Sequence, residues 1–176
     1  VLELCSAAIE WSDNTAADLI LKLLGGPQAV TAYARSIGDP TFRLDRTEPS
    51  LNIVVPGRTS DTTSPAAMSA DLRALLLGDL LHPSQRDLLT GWMRACQTGL
   101  QRIRSAAPAG SVIADKTGTW TGRCNAAGDI AVVQPPRRAH RAFSLRGRPE
   151  AGLTGRAHRG GGESRLSGPR LKAQVW

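Results

Sequence analysis

Apolar residues through the first hundred positions recur at helical spacing, in stretches separated by glycine and proline. Leu2, Cys5, Ala8 and Ile9 share one face of Val1–Trp11. Thr15–Leu24 is rich in Leu and Ile and stops at Gly25 and Gly26, which predicts a buried helix with a glycine terminus. Pro27 opens a third helix, with Val30, Tyr33, Ala34 and Ile37 on one face and Gly38 at its end. Ser64 and Pro65 suit the N-cap and first turn of a fourth, running through Met68, Leu72, Leu75 and Leu76 to Gly78. The fifth is Pro83–Cys96, with Leu88, Leu89, Trp92 and Cys96 on its inner side. After Pro108 the pattern changes. Ser111–Asp115 and Asp129–Val133 are short β-rich runs, and the KTGTWTGRCNAAG segment between them predicts a connecting turn. Helices followed by strands give an α+β fold class.

Arg43–Pro65 breaks every period, through Pro49, Pro56, Gly57 and the Ser/Thr/Asp cluster before Pro65. Long loops inside compact domains are uncommon and are usually functional or disordered. Arg46 and Asp61 bracket this one with opposite charges, a pair suited to closing it as an Ω-loop. Inside lie one carboxylate, Glu48, and one amide, Asn52, a combination able to hold a water molecule for attack.

Composition changes the picture at the far end of the chain. The net charge is +7, but residues 1–133 hold 12 Lys/Arg against 13 Asp/Glu, and residues 134–176 hold 10 against 2. The body is therefore nearly neutral, and nothing in it suggests nucleic acid. The tail is dominated by Arg, Gly, Ala and Pro without helical or strand period, which predicts disorder. The boundaries read from these changes are 1–107 (helical region), 108–133 (two strands) and 134–176 (basic tail). No apolar run is long enough for a bilayer, so no membrane association is expected. No signal peptide is read, although a chain that opens without Met gives no argument for the cytoplasm. Cys5, Cys96 and Cys124 form no metal pattern and His82, His140 and His158 are unclustered, so no metal or cofactor is expected.

Three polar motifs stand out in order: SDN at 12–14, EPSLN at 48–52 and KTG at 116–118. Singly, each is a common cap or turn. Jointly, with 36 residues from Ser12 to Glu48 and 68 from Glu48 to Lys116, they closely resemble the class A serine β-lactamases. R-x-E-x-x-L-N at Arg46–Asn52 and D-T-T-x-P at Asp61–Pro65 extend the resemblance over most of Val1–Val133. The loop glutamate separates this family from the penicillin-binding transpeptidases, the alternative β-lactam-binding reading. The resemblance implies a partial serine β-lactamase/transpeptidase-like fold and hydrolysis of a β-lactam amide through a serine acyl-enzyme. It implies Glu48 as the base that activates the hydrolytic water, Asn52 as its helper, and Ser12 as a proton relay to the lactam nitrogen. Asn14 would bond the substrate's amide side chain, Lys116 and Thr117 its carboxylate. Gly118 would admit the ligand to the strand edge, and Thr119 would give one oxyanion-hole N–H. For a complete family member it implies a periplasmic or secreted monomer, acting on β-lactam antibiotics.

Two departures qualify this. The residues three before Lys22, Lys116 and Lys172 are Leu19, Ile113 and Pro169, so the family's S-x-x-K nucleophile motif is absent from these 176 residues. The chain as it stands is accordingly expected to lack useful turnover and to expose core faces of its helices. The resemblance also implies a partner for Cys5 in the missing upstream part. After Val133 the family's apolar strand and long helix are replaced by an Arg/Gly/Ala/Pro-rich segment, as expected for a GC-rich gene read out of frame. The rival reading, a tail that binds polyanions, finds no aromatic interleaving or amphipathic spacing. Arg58, in the loop, and Arg123, near the substrate-side turn, fall where the family varies with drug spectrum. Trp120 reads equally as narrowing the site or as a surface aromatic.

Overall fold

A computed structural model describes residues 1–53, 55, 57–121 and 126–136, together with the backbone of 141–147. The helices are α1 (Leu2–Glu10), α2 (Asn14–Leu24), α3 (Pro27–Ser36), α4 (Pro65–Leu77), α5 (Pro83–Ala95) and the short α6 (Ile103–Ala106). The strands are β1 (Val112–Trp120), β2 (Ala126–Gln134) and β3 (Arg141–Gly147). Local chemistry explains most boundaries. Asp13 caps α2 by accepting the Ala16 N–H at 2.9 Å. Gly25, at φ 94°, ends α2 in the left-handed region, and the Gly26 N–H returns to Leu21 O at 2.8 Å. Ser64 Oγ accepts the Ala67 N–H at 3.1 Å, with Pro65 at the first position of α4.

The strands form an antiparallel meander in the order β1-β2-β3, with Lys116 opposite Ile130 and Gly118 opposite Gly128. Helix α5 packs on β1, and α4 packs on β2 and β3. The core joins Leu51 of the loop to Met68, Leu72 and Leu76 of α4, Met93 of α5, and Ala114, Ile130 and Val132 of the sheet.

The structure corrects the sequence reading in five places. α2 is not a buried helix: Ala16 is its buried residue, while Leu19, Leu23 and Leu24 are exposed on its outer face. β1 runs through to Trp120, so the KTG motif lies inside a strand instead of in the turn. Pairing with Ala126–Gln134 runs along its whole length, despite glycines on both strands. β3 is a third strand where the reading ends regular structure at Gln134. It pairs with β2 from Val133↔Arg141 to Ala127↔Gly147, and the offered ladder, rather than side-chain period, supplies its conformation. On α5 the inward face is Met93 with the half-buried Leu89 and Trp92, continued by the buried C-cap Cys96, while Leu88 is exposed, because the helix turns its 89/93/96 face to the core. In α3, Tyr33 is exposed for the same reason, and Ala34 is the buried residue. The reading of residues 148–176, and of Arg123 and Cys124, lies outside the described residues.

Candidate active site

The loop is held shut at its neck. Arg43 pairs with Thr62 as an antiparallel bridge, the Arg43 N–H donating to Thr62 O at 2.9 Å. Asp61, 1% exposed, accepts the backbone N–H groups of Asp45 and Arg46 at 2.8 and 2.9 Å through Oδ1. Its Oδ2 accepts from Arg46 Nε at 2.6 Å. The other end of that guanidinium enters the loop and donates to Ile53 O at 3.1 Å. A 3-10 turn at Ser50–Asn52 then inserts Leu51 into the core. This leaves Glu48 and Asn52, four residues apart, close together: Asn52 Nδ2 donates to Glu48 Oε2 at 2.6 Å.

Facing the loop is the turn between α1 and α2. Ser12 takes φ 58°, in the left-handed region that costs a non-glycine residue on the order of 1 kcal/mol or more. The Trp11 and Asp13 N–H groups, both donating to Ala7 O, hold it there. The reward is proximity to β1: Lys116 Nζ donates to Ser12 Oγ at 2.8 Å and to Thr117 O at 2.6 Å. Lys116 is 4% exposed, and burial brings its pKa down to about 8. An ammonium so close to neutrality gives up a proton more readily than an ordinary lysine. The Glu48 carboxyl is pushed above its usual range by burial. Asp18 pushes in the same direction, while the Asn52 hydrogen bond and Lys116 oppose them.

A cleft of about 260 Å³ collects Ser12, Asn14, Glu48, Asn52, Gly118 and Thr119, residues brought from α1–α2, the loop and β1. Trp120 also lines it, half-buried, and so borders the cleft instead of standing on an unrelated surface. Two of the sequence-selected residues do not line it. Lys116 lies behind Ser12. Thr117, selected as a carboxylate partner, is 2% exposed with its hydroxyl 2.5 Å from that of Thr98. Strand alternation sends its side chain towards the 98–99 segment, the opposite way from Lys116.

Sequence reasoning missed three further groups. Asp18 of α2 accepts the Glu48 N–H at 2.9 Å. Arg102 donates to Gly118 O at 3.0 Å and also bonds the Thr119 hydroxyl and Gly128 O, so a second cation reaches the cleft edge. Behind β1, Arg104 Nε donates to the buried Asp115 at 2.6 Å. Gly99 must be glycine there, since a Cβ would fall 1.6 Å from Asp115 Oδ2. None of these forms a motif in one dimension; each is a long-range contact. Among the described residues no group of three His, Cys, Asp or Glu is arranged to hold a metal ion. Cys5 and Cys96 are both free thiols.

The cleft therefore sets a carboxylate–amide pair opposite a serine bonded to a buried lysine, along a strand edge with a nearby arginine. Comparison with known proteins agrees. A sequence model of the Beta-lactamase enzyme family matches residues 1–146. The chain is 52% identical over 139 residues to β-lactamase AST-1 of Nocardia asteroides, covering 79% of this chain and 44% of that one. It is 50% identical over 139 residues to a carbapenem-hydrolyzing β-lactamase KPC of Klebsiella oxytoca, covering 79% and 47%. An ancestral (GNCA) class A β-lactamase superposes with a TM-score of 0.78 at 53% identity, covering 82% of this chain and 55% of that one. A class A β-lactamase from Mycobacterium abscessus gives 0.77 at 44%, covering 84% and 56%. The chain thus spans about half the length of the relatives it matches. On sequence and fold together, the chain belongs to the β-lactamase enzyme family, among its class A members.

Proposed function

We propose that this chain carries the deacylating and substrate-facing part of a serine β-lactamase, which opens a β-lactam amide and then hydrolyses the resulting acyl-enzyme ester. The observation that carries the reading is Glu48 and Asn52 bonded to each other across the cleft from Ser12 and Lys116. Glu48 takes a proton from the attacking water, and the Asn52 amide helps to hold that water. Ser12 passes a proton to the lactam nitrogen as the ring opens, with Lys116 as its cationic partner. Asn14 bonds the amide side chain of the substrate. Lys116 and Arg102 supply the positive field for its carboxylate. Thr117 serves through the carbonyl that fixes Lys116 Nζ. Gly118 gives close access along β1, and the Thr119 N–H stabilises the developing oxyanion.

The ester needs a serine nucleophile in an S-x-x-K motif, which these 176 residues do not contain. The substrates are β-lactam antibiotics, and the working protein is a periplasmic or secreted monomer. No helix among the described residues is long and apolar enough to cross a membrane. A chromogenic cephalosporin tests the reading. The 176-residue chain alone leaves it intact, and the chain joined to the S-x-x-K region of a class A relative hydrolyses it. Hydrolysis by the chain alone, or none from a folded joined protein, contradicts the proposal.

A further inference from the structure

We propose that Asp39 and Asp71 share one proton, and that this proton clips the start of the loop carrying Glu48 to α4. The device is independent of the role given to Glu48. Asp39 follows the end of α3 and is 5% exposed. Its Oδ1 accepts the Thr41 and Phe42 N–H groups at 2.6 and 3.1 Å, which turns the chain out of α3 into the loop. Its Oδ2 is buried and receives no donor among the described residues. Asp71 is placed to supply one. On α4 it lies next to Leu72 and one turn after Met68, both packed in the core with Ala34 and Phe42. Its half-buried carboxyl therefore faces the same corner and comes within hydrogen-bonding reach of Asp39.

Two carboxylates offer acceptors only, so a contact between them needs a proton that makes one of them a donor. The cations of the surrounding elements do not fill that place. Arg35 of α3 donates to the Asp39 backbone O at 2.5 Å, Arg43 of the loop is held by Asp45, and Arg73 of α4 is exposed. Neither carboxylate forms an ion pair among the described residues. Burial, with Asp39 beside it, accordingly brings the Asp71 carboxyl up to about 6. The closed corner thus keeps a proton that an opened, hydrated Asp71 gives up at the ordinary aspartate value. The clip is complete below that value and weakens as the pH rises from there through 6. Beyond it, two like charges face each other in a buried corner, and one of them is the carboxylate that holds the Phe42 N–H.

Nuclear magnetic resonance on the full 176-residue chain tests both parts. ¹³C-labelled aspartate carboxyls report ten residues, and Asp71→Asn identifies the Asp71 signal by its loss. The parent should show Asp71 titrating at about 6. Asp39→Asn should return that midpoint to the ordinary aspartate range or below, because its amide keeps an oxygen for Thr41 and Phe42 and donates to Asp71 at every pH. A parent midpoint already in the ordinary range, or one that Asp39→Asn leaves in place, overturns the shared proton. The clip is read from exchange of the Phe42 amide, corrected for its intrinsic rate. Protection in the parent should fall about tenfold from pH 5 to pH 8, the change expected when opening restores an ordinary aspartate. It should stay level in Asp71→Asn, whose amide donates to Asp39 whatever the pH. Asp71→Ser offers a smaller neutral donor and replaces the asparagine variant should that one fail to fold. Parent protection that does not change with pH, or that falls equally in the variant, overturns the clip.

Discussion

Asp129 shows how much of this molecule depends on ionisable groups held out of water. It is 2% exposed, and its Oδ2 accepts the Ile103 N–H at 3.0 Å, tying α6 to β2. Burial pushes its carboxyl up to about 7, with Asp115 adding repulsion. A carboxyl raised this far stabilises the fold at acid pH, where both states hold the proton, and that stability is lost as the pH climbs through 7. Urea unfolding at pH 5 and pH 8 should therefore show the parent losing about 2–3 kcal/mol more than Asp129→Asn over that interval. An equal pH dependence in the two proteins would place the proton elsewhere. At this scale the sequence was least informative. Asp18, Arg102, Gly99 and Asp129 sit in no motif, and each acquires its role from a partner at least eleven residues away. Glu48 and Asn52 could be picked out because their partnership is local, within one turn of the loop.

Among elements, the loop between α3 and α4 is a folded unit with its own bracing. The Arg46–Asp61 pair lies at its base, with Asp61 buried and four hydrogen-bond contacts converging on that carboxylate or its backbone. Removing one member of a buried pair leaves the other uncompensated, at a cost of about 3–5 kcal/mol. Arg46→Ala should cost towards the lower end of that range in chemical denaturation, since Asp61 keeps its two backbone donors. Limited proteolysis should then cut first within residues 46–61. A variant as stable and as protease-resistant as the parent would mean that the bridge is incidental. Helix boundaries were legible because caps are local: Asp13, Gly25, Ser64 and Pro65 act within one turn of the residues they satisfy. The helix faces were less so. Leu88 and Met93 are both apolar, and only the position of β1 decides which is buried. β3 was illegible because its conformation comes from β2.

Across the whole molecule, apolar surface is distributed unevenly. α1 has no buried residue, and Leu2, Trp11 and Leu23 are 60%, 65% and 65% exposed, whereas the α4–α5 side of the sheet is packed. Exposed apolar patches drive association. Sedimentation of the purified chain is expected to show a mass that rises with concentration, and a strictly monomeric species at every concentration would contradict that. The order of motifs along the chain made the family visible at once, and residues of all three motifs meet at one cleft: Ser12, Asp13 and Asn14, Glu48 and Asn52, and Gly118. Lys116 touches it only through Ser12, and Thr117 is turned away by strand alternation, which needs a known register.

In the function proposed above, Glu48 acts on an ester, after the amide has been broken. Intact mass spectrometry of the chain joined to an S-x-x-K region, with and without Glu48→Gln, after brief exposure to a penicillin, separates that role from any other. The parent should return to its unmodified mass within the assay, while Glu48→Gln should persist with one covalently added penicillin. Rapid loss of the adduct from Glu48→Gln would contradict the assignment of Glu48 as the deacylating base.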